Sequence, residues 1–151
     1  MTTARTILAA ILTMLAAGQS LAQGTPMDVK KTNGCGCCLA WMERMEESGF
    51  APEGDDMFAG LLVRYKLDMG VPPKMVSCHT AVVEGYVIEG HVPAADIRKL
   101  LDERPDAVGL AVPGMPIGSP GMDFGDGREA FDVFLIGRDG ATEVFSSYPG
   151  N

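Results

Sequence analysis

Apolar and polar residues change period several times along the chain, and each change marks a predicted element. After the turn-forming residues 33–36, Cys38, Met42 and Met45 recur at helical spacing, which predicts a helix with one buried face. Two β-branched and aromatic runs flank Glu84 and Gly85, a pair that favours a hairpin turn. The predicted strands are 27–32, 80–83 and 86–88, the helices are 37–48, 57–68 and 94–103, and a second hairpin surrounds residues 138–140.

These elements predict an α/β fold with a central, mostly antiparallel sheet and helices packed on it. The order of strand, Cys-rich turn and helix makes the predicted arrangement thioredoxin-like. Pro52 and Gly54 interrupt the segment after the first helix, so a strand there is expected to be short or lost. No linker divides the chain, and residues 23–151 are predicted to form a single domain.

The first 22 residues have the pattern of a secretory signal. Arg5 precedes an apolar run at 7–17 that is too short to span a bilayer, and Ser20 and Ala22 supply the small residues of a cleavage site. We predict that residues 1–22 are a signal peptide, and that the mature protein is periplasmic with no membrane anchor after cleavage. The net charge of −8 disfavours binding to nucleic acid or anionic membranes.

Three of the four cysteines fall within residues 35–38, at the predicted start of the first helix. Cys35 and Cys38 form a C-x-x-C pair, and a helix N-terminus stabilises the thiolate that a thiol–disulfide enzyme needs. Structural disulfides are common in exported proteins, but cysteines in one turn close only short loops. Cys37 lies inside the pair and offers competing pairings. Because thiolates are soft ligands that select Cu(I) or Zn(II), the crowding favours metal binding over the redox alternative.

Further candidate ligands lie elsewhere in the sequence. Cys78 and His79 precede the first hairpin, where a thioredoxin-like layout would bring them against the Cys-rich turn. His91 precedes the third helix and more commonly would bond locally, so its role as a ligand stays open.

The segment at 104–130 is rich in Gly and Pro and is predicted to be one long irregular loop, of a kind that often carries function. Met115 and Met122 lie within it, and their thioethers are able to ligate Cu(I). We predict that residues 111–124 cover the cysteines, and the alternative is an exposed loop with no contact to the thiols.

The stretches CGCCLAW, VPPKMVSCHTAVVEGYVIEGHVPA and GLAVPGMPIGSPGM together resemble the CopG-like copper-resistance family, catalogued as domain of unknown function 411. The resemblance extends over residues 29–148. It implies an exported, thioredoxin-like protein with a thiolate-bound Cu(I) cluster, which could be multinuclear, and an oxidoreductase role. Carried over by position, the copper-binding thiolates are Cys35, Cys37, Cys38 and Cys78, and His79, Met115 and Met122 fall inside the matched motifs.

The sequence therefore predicts an exported Cu(I)-binding protein for copper sequestration or resistance, with copper-dependent oxidoreductase activity as a further possibility. Its predicted partners are copper ions and other periplasmic copper-handling proteins. The alternative is a thiol–disulfide oxidoreductase that uses Cys35 and Cys38, and such an enzyme would not need Cys37 or Cys78.

Overall fold

The computed structural model describes residues 24–151, so the predicted signal peptide lies outside the described residues. The strands are β1 (Thr25–Lys31), β2 (Phe50–Asp56), β3 (Thr80–Val83), β4 (Tyr86–Glu89), β5 (Ala107–Ala111), β6 (Phe131–Gly137) and β7 (Thr142–Tyr148). The α-helices are α1 (Gly36–Glu47), α2 (Ala59–Asp68) and α3 (Ala94–Glu103), and a 3₁₀ turn covers Pro73–Met75. The three helices and both hairpins agree with the prediction to within two residues at each end.

All seven strands form one sheet in the order β2-β1-β3-β4-β5-β6-β7. Strand β1 is parallel to β2, and β4 is parallel to β5. The other four neighbouring pairs are antiparallel, which confirms a mostly antiparallel sheet with packed helices. Among residues 24–151 no helix is long and apolar enough to cross a membrane.

Strand β2 corrects the prediction that this strand is short or lost, because it extends over seven residues beside β1. It lies at the edge of the sheet, where a proline without an amide hydrogen is tolerated, and this accounts for Pro52. A Cβ on Gly54 would come within 2.9 Å of Met42 Cε. Gly54 therefore leaves the space in which Met42 packs on β2.

Strand β5 corrects the prediction of one irregular loop at 104–130. It pairs with β4 on one side and β6 on the other. A Cβ on Gly109 would lie 1.8 Å from Val87 O, so only glycine fits at this close approach of two strands. The run AVGLA gives a weak strand signal because its central residue is glycine and Pro105 and Pro113 flank it.

The core occupies both faces of the sheet. Trp41 and Met45 of α1 and Ile97 of α3 pack in the larger apolar cluster on one face. Met75 belongs to a smaller cluster with Val87 of β4. Neighbouring strand residues divide between the two clusters, as the alternation of side chains along a strand requires. The buried face predicted for α1 is thus confirmed at Cys38 and Met45, and Met42 is half-buried.

Four segments meet at one end of the sheet. Because β3 is antiparallel to β1 and to β4, the residues before β3 lie beside the end of β1 and the end of β4. Strand β5 is parallel to β4, so the loop that follows β5 starts at the same end. The N-terminus of α1 follows β1. This topology brings the Cys-rich turn, the residues before β3, the residues after β4 and the long loop together.

Candidate metal centre

The first half of the centre is the turn at the N-terminus of α1. Cys35 is the N-cap of the helix, and Gly34 adopts the positive φ of 73° that turns the chain into it. Cys35 and Cys38 are joined by a disulfide with a Cα–Cα distance of 5.3 Å. Cys37 is free and half-buried, with its sulfur 3.6 Å from Cys35 Sγ. The C-x-x-C pair of the redox alternative is therefore closed in this structure.

The second half is formed by residues at the two ends of the first hairpin. Cys78 Sγ lies 3.2 Å from His79 Nδ1 and 3.0 Å from His91 Nε2. Both imidazoles are fully buried. His91 Nδ1 donates to Pro120 O at 2.8 Å, which fixes the tautomer because a carbonyl only accepts. His91 Nε2 therefore presents its lone pair to the Cys78 sulfur.

The two halves meet at their free cysteines, where Cys37 Sγ and Cys78 Sγ are 3.9 Å apart. Two groups of donors have all their ligand atoms within 4.8 Å of one another, and both contain Cys78. One consists of Cys35, Cys37, Cys38 and Cys78, and the other of Cys78, His79 and His91. Cys78 thus joins a sulfur-rich half to an imidazole-rich half.

Burial sets the charge of the hairpin half. It raises the pKa of the Cys78 thiol to about 12, and the neighbouring Cys37 adds to this effect. Burial also lowers the pKa of His79 well below its usual value, assisted by His91 and Lys66, and lowers the pKa of His91. The centre is therefore neutral without metal at pH 7 on this side: two uncharged imidazoles and one protonated thiol.

Within residues 24–151, His79 Nε2 is the one buried side-chain nitrogen or oxygen with no hydrogen-bond partner. Trp41 closes this side of the centre, with its ring centroid 4.4 Å from that of His79. Trp41 Nε1 donates to Val92 O at 2.9 Å, which ties α1 to the segment that carries His91. A buried nitrogen without a partner costs free energy, and Nδ1 rather than Nε2 is the ring nitrogen of His79 that lies next to Cys78 Sγ.

The long loop lies against the centre, as predicted. Pro120 O accepts the hydrogen bond from His91, and a Cβ on Gly121 would come within 2.7 Å of Cys37 O. The contact requires glycine at 121 because the loop backbone packs directly on α1. Met122 is half-buried and the Met115 side chain is 50% exposed. Their role as ligands stays a prediction.

The sequence leaves the role of His91 as a ligand open, although the hairpin contains a signal for its position. The Glu84-Gly85 turn sets a register in which Thr80 faces Glu89. His79 and His91 therefore emerge at the same end of the hairpin, one at each side of Cys78. The sequence holds only two histidines, and both belong to the centre.

The donors present suit a soft metal ion. Thiolate and imidazole are the ligands that copper and zinc take in proteins. The separations of Cys78 Sγ from the two ring nitrogens are 3.0 and 3.2 Å. Sulfur and nitrogen bound to one ion, with bonds of about 2.3 and 2.0 Å, are spaced similarly. The described residues therefore define an α/β protein with a candidate thiol–imidazole metal site that also contains a disulfide.

Comparison with known proteins agrees with this class. The family model for a protein of unknown function, DUF411, matches residues 75–122. Two solved structures of copper resistance protein CopG are similar to the chain. Form 1 has 46% identity and a TM-score of 0.78, and covers 84% of this chain and 99% of its own. Form 2 has 47% identity and a TM-score of 0.77, and covers 83% and 99%. No match was found among curated proteins.

At this identity and coverage, the chain belongs to the CopG-like family of copper-resistance proteins. The family and the Cys/His cluster together suggest copper binding.

Proposed function

We propose that this protein is an exported Cu(I)-binding protein that sequesters copper and so confers copper resistance. The observation that carries the proposal is the convergence of four cysteines and two buried histidines at one end of the sheet. Holding copper in such a site keeps it away from proteins whose own metals it would displace. The core order β2-β1-β3-β4, with α1 between β1 and β2, supports the thioredoxin-like assignment.

The closed disulfide determines when the sulfur-rich half is able to bind. While Cys35 and Cys38 are joined, Cys37 and Cys78 are the free thiols. Reduction by an external dithiol adds two electrons and two protons to the disulfide and yields two further thiols. All four sulfurs would then be available to Cu(I), which would displace their protons into the solvent. Cu(I) loading of the sulfur-rich half by all of its sulfurs therefore requires the reduced protein.

A second candidate function is thiol–disulfide exchange by Cys35 and Cys38, and the disulfide between them favours it. In that reaction a substrate thiolate attacks one sulfur, and the other leaves as a thiolate. Copper-dependent oxidoreductase activity would combine the two chemistries, because the disulfide and the copper ligands share the same sulfurs. The two functions differ in their need for Cys37 and Cys78.

The deciding experiment is anaerobic titration of the reduced protein against a colorimetric Cu(I) chelator. We expect the protein to remove Cu(I) from the chelator, and the Cys37→Ser/Cys78→Ser variant to compete far less well. That variant keeps the C-x-x-C pair, so it serves as the matched control for thiol exchange. A protein that cannot compete, or a double variant with unchanged affinity, would contradict copper sequestration. Retention of full exchange activity by the variant would then favour the second function.

Export is part of the proposal and has its own test. Intact mass of the protein recovered from the periplasmic fraction of an expressing bacterium should correspond to a chain that begins at Gln23. Full-length protein confined to the cytoplasm would contradict both the signal peptide at 1–22 and the periplasmic location.

A further inference from the structure

A buried ion pair lies next to the metal centre, on the opposite face of the sheet from α1. Lys66 of α2 and Glu89 of β4 are 1% and 0% exposed, and Lys66 Nζ donates to Glu89 Oε1 at 2.7 Å. Lys66 Nζ also donates to Thr80 Oγ1 at 2.8 Å. Neither residue stands out in the sequence, and neither is a metal ligand in the groups described above.

The Glu89 carboxylate holds the chain on both sides of the Cys78-His79 dipeptide. Before the dipeptide, Ser77 N donates to Glu89 Oε1 at 2.6 Å. After it, Thr80 Oγ1 donates to Glu89 Oε2 at 2.6 Å. Because both oxygens accept bonds, the carboxylate restrains the position of Cys78 from two directions.

The same carboxylate links Cys78 to His91. Glu89 is the last residue of β4, and only Gly90 separates it from His91. Gly90 N donates to His79 O at 3.0 Å, and a Cβ on Gly90 would lie 2.4 Å from Ser77 Oγ. The segments that carry Cys78 and His91 are thus packed together directly beside Glu89.

The charges in this network suit a positioning role better than a stabilising one. A buried ion pair is a poor source of stability, since well-packed apolar residues of similar volume often serve as well. Burial raises the pKa of Glu89, whereas Lys66, Thr80 and Ser77 all lower it by donating to the ionised form. The ion pair makes three directional hydrogen bonds to Ser77 and Thr80, the residues on either side of the Cys78-His79 dipeptide. An apolar pair would make none of them.

We propose that Glu89, charge-balanced by Lys66, is a positioning residue that holds Cys78 at its distance from His91 before any metal arrives. This inference rests on the proposed copper-binding function only for its consequence, which is a higher affinity for Cu(I). The positioning itself is a property of the metal-free protein. Groups that orient a metal ligand without contacting the metal typically contribute about 10- to 100-fold in affinity.

The test uses the Lys66→Met/Glu89→Leu variant, which fills the same volume with apolar side chains, and Thr80→Val, which removes one hydroxyl and keeps the ion pair. The control is Asp96→Asn. Asp96 is also buried and accepts bonds from Ser146 and Tyr148, but it lies on α3 and its hydrogen bonds go to β7 rather than to the centre. Thermal unfolding of each variant provides the measure of lost stability.

Two measurements separate positioning from stability. In the metal-free protein with the disulfide closed, Cys37 and Cys78 are the free thiols of the chain, and peptide mass spectrometry gives their rates of alkylation by iodoacetamide. Cys37 is an internal reference because the Glu89 carboxylate accepts its hydrogen bonds from Lys66, Ser77 and Thr80 and from no residue of the Cys37 turn. We expect the Cys78-to-Cys37 rate ratio to rise in the double variant, less in Thr80→Val, and not in Asp96→Asn. The reduced double variant should also bind Cu(I) about tenfold more weakly by chelator competition.

An unchanged ratio in the double variant overturns the proposal, whatever happens to copper affinity. An equal rise in Asp96→Asn overturns it as well, because the effect would then follow from lost stability. If the double variant does not fold, Thr80→Val decides on the same criteria. If wild-type protein fails to compete for Cu(I), the proposed function is wrong, while the rate ratio still decides whether Glu89 positions Cys78.

Discussion

The two halves of the metal centre are assembled in different ways. Cys35, Cys37 and Cys38 lie within four consecutive residues, and one turn at the start of α1 brings their sulfurs together. The hairpin half takes Cys78 and His91 from positions 13 residues apart and depends on strand register, a loop carbonyl and a buried ion pair.

The halves also differ in whether their set of metal ligands changes with redox state. The turn half changes its ligand set with redox state, because a disulfide removes two of its three sulfurs from metal binding. In the hairpin half, His91 is fixed by Pro120 and Cys78 by its neighbours, so its donors remain together in the oxidised protein. We infer that the hairpin half is the preformed part of the site and the turn half is the variable part.

The largest effect should come from Cys78→Ser, because Cys78 belongs to both donor groups. We expect Cu(I) affinity to fall by about 100-fold, or about 2.7 kcal/mol. Cys35→Ser leaves Cys78 and both histidines in place and should cost only about tenfold, or 1.4 kcal/mol. Anaerobic chelator competition on both reduced variants measures the difference. Equal losses would show that the two halves are equivalent, contrary to our comparison.

His91→Ala removes the donor whose orientation the long loop fixes. We expect Cu(I) affinity to fall about tenfold, a typical loss for a disrupted ligand environment. If the hairpin half is preformed, His91→Ala must lower Cu(I) affinity by the same factor when Cys35 and Cys38 have been replaced by serine, since His91 acts with Cys78. The Cys35→Ser/Cys38→Ser protein is therefore the matched background, and absence of a His91 effect there would contradict it.

Cys78 should contribute one of the protons that set the pH dependence of copper binding. Its pKa is raised to about 12 by burial, so the thiol carries a proton at every pH from 6 to 8 that Cu(I) must displace. Affinity therefore rises with pH, by about tenfold per unit for each proton released. Calorimetry in buffers of different ionisation enthalpy counts these protons. The Cys78→Ser variant should release one fewer, and an equal count would refute the assignment.

Trp41 connects the halves, and Trp41→Phe should loosen that connection at a cost in stability. It leaves Val92 O without its buried donor, which costs about 1–3 kcal/mol. Urea unfolding of the disulfide-closed protein measures this loss. Copper affinity should change less than in His91→Ala, because every ligand remains. A variant as stable as wild type would exclude the hydrogen bond as the connecting element.

The smallest effect is expected from replacing Met115 and Met122 together by leucine, which keeps apolar bulk and removes the thioethers. Met115 is half-exposed, and a weakly held thioether would contribute at most about threefold to Cu(I) affinity, or 0.7 kcal/mol. We expect slightly weaker binding or faster oxidation of the bound copper in air. Wild-type behaviour in both assays would exclude methionine ligation, and a loss as large as that of His91→Ala would place the loop among the principal donors.

The thioredoxin-like layout and the family resemblance, rather than local sequence, predicted that Cys78 joins the centre. Local sequence was sufficient to predict both hairpins, the three helices and the Cys-rich turn. It failed where an element depends on its neighbours. Strand β2 holds Pro52 and Gly54, which weaken any local strand signal, yet an edge position beside β1 accommodates both. Strand β5 depends on Gly109, which is unfavourable in an isolated strand but required against Val87.

The sequence by itself determined the ligand types, since periodicity and cysteine spacing are properties of neighbouring residues. Tertiary structure decided which donors complete the centre. His91 became part of it through the register of the hairpin and through Pro120, which lies 29 residues further along the chain. Lys66 and Glu89 have unremarkable sequence contexts, and only packing of α2 on the sheet buries them together. Burial and long-range hydrogen bonding depend on residues far apart in sequence, so they arise only when the chain has folded.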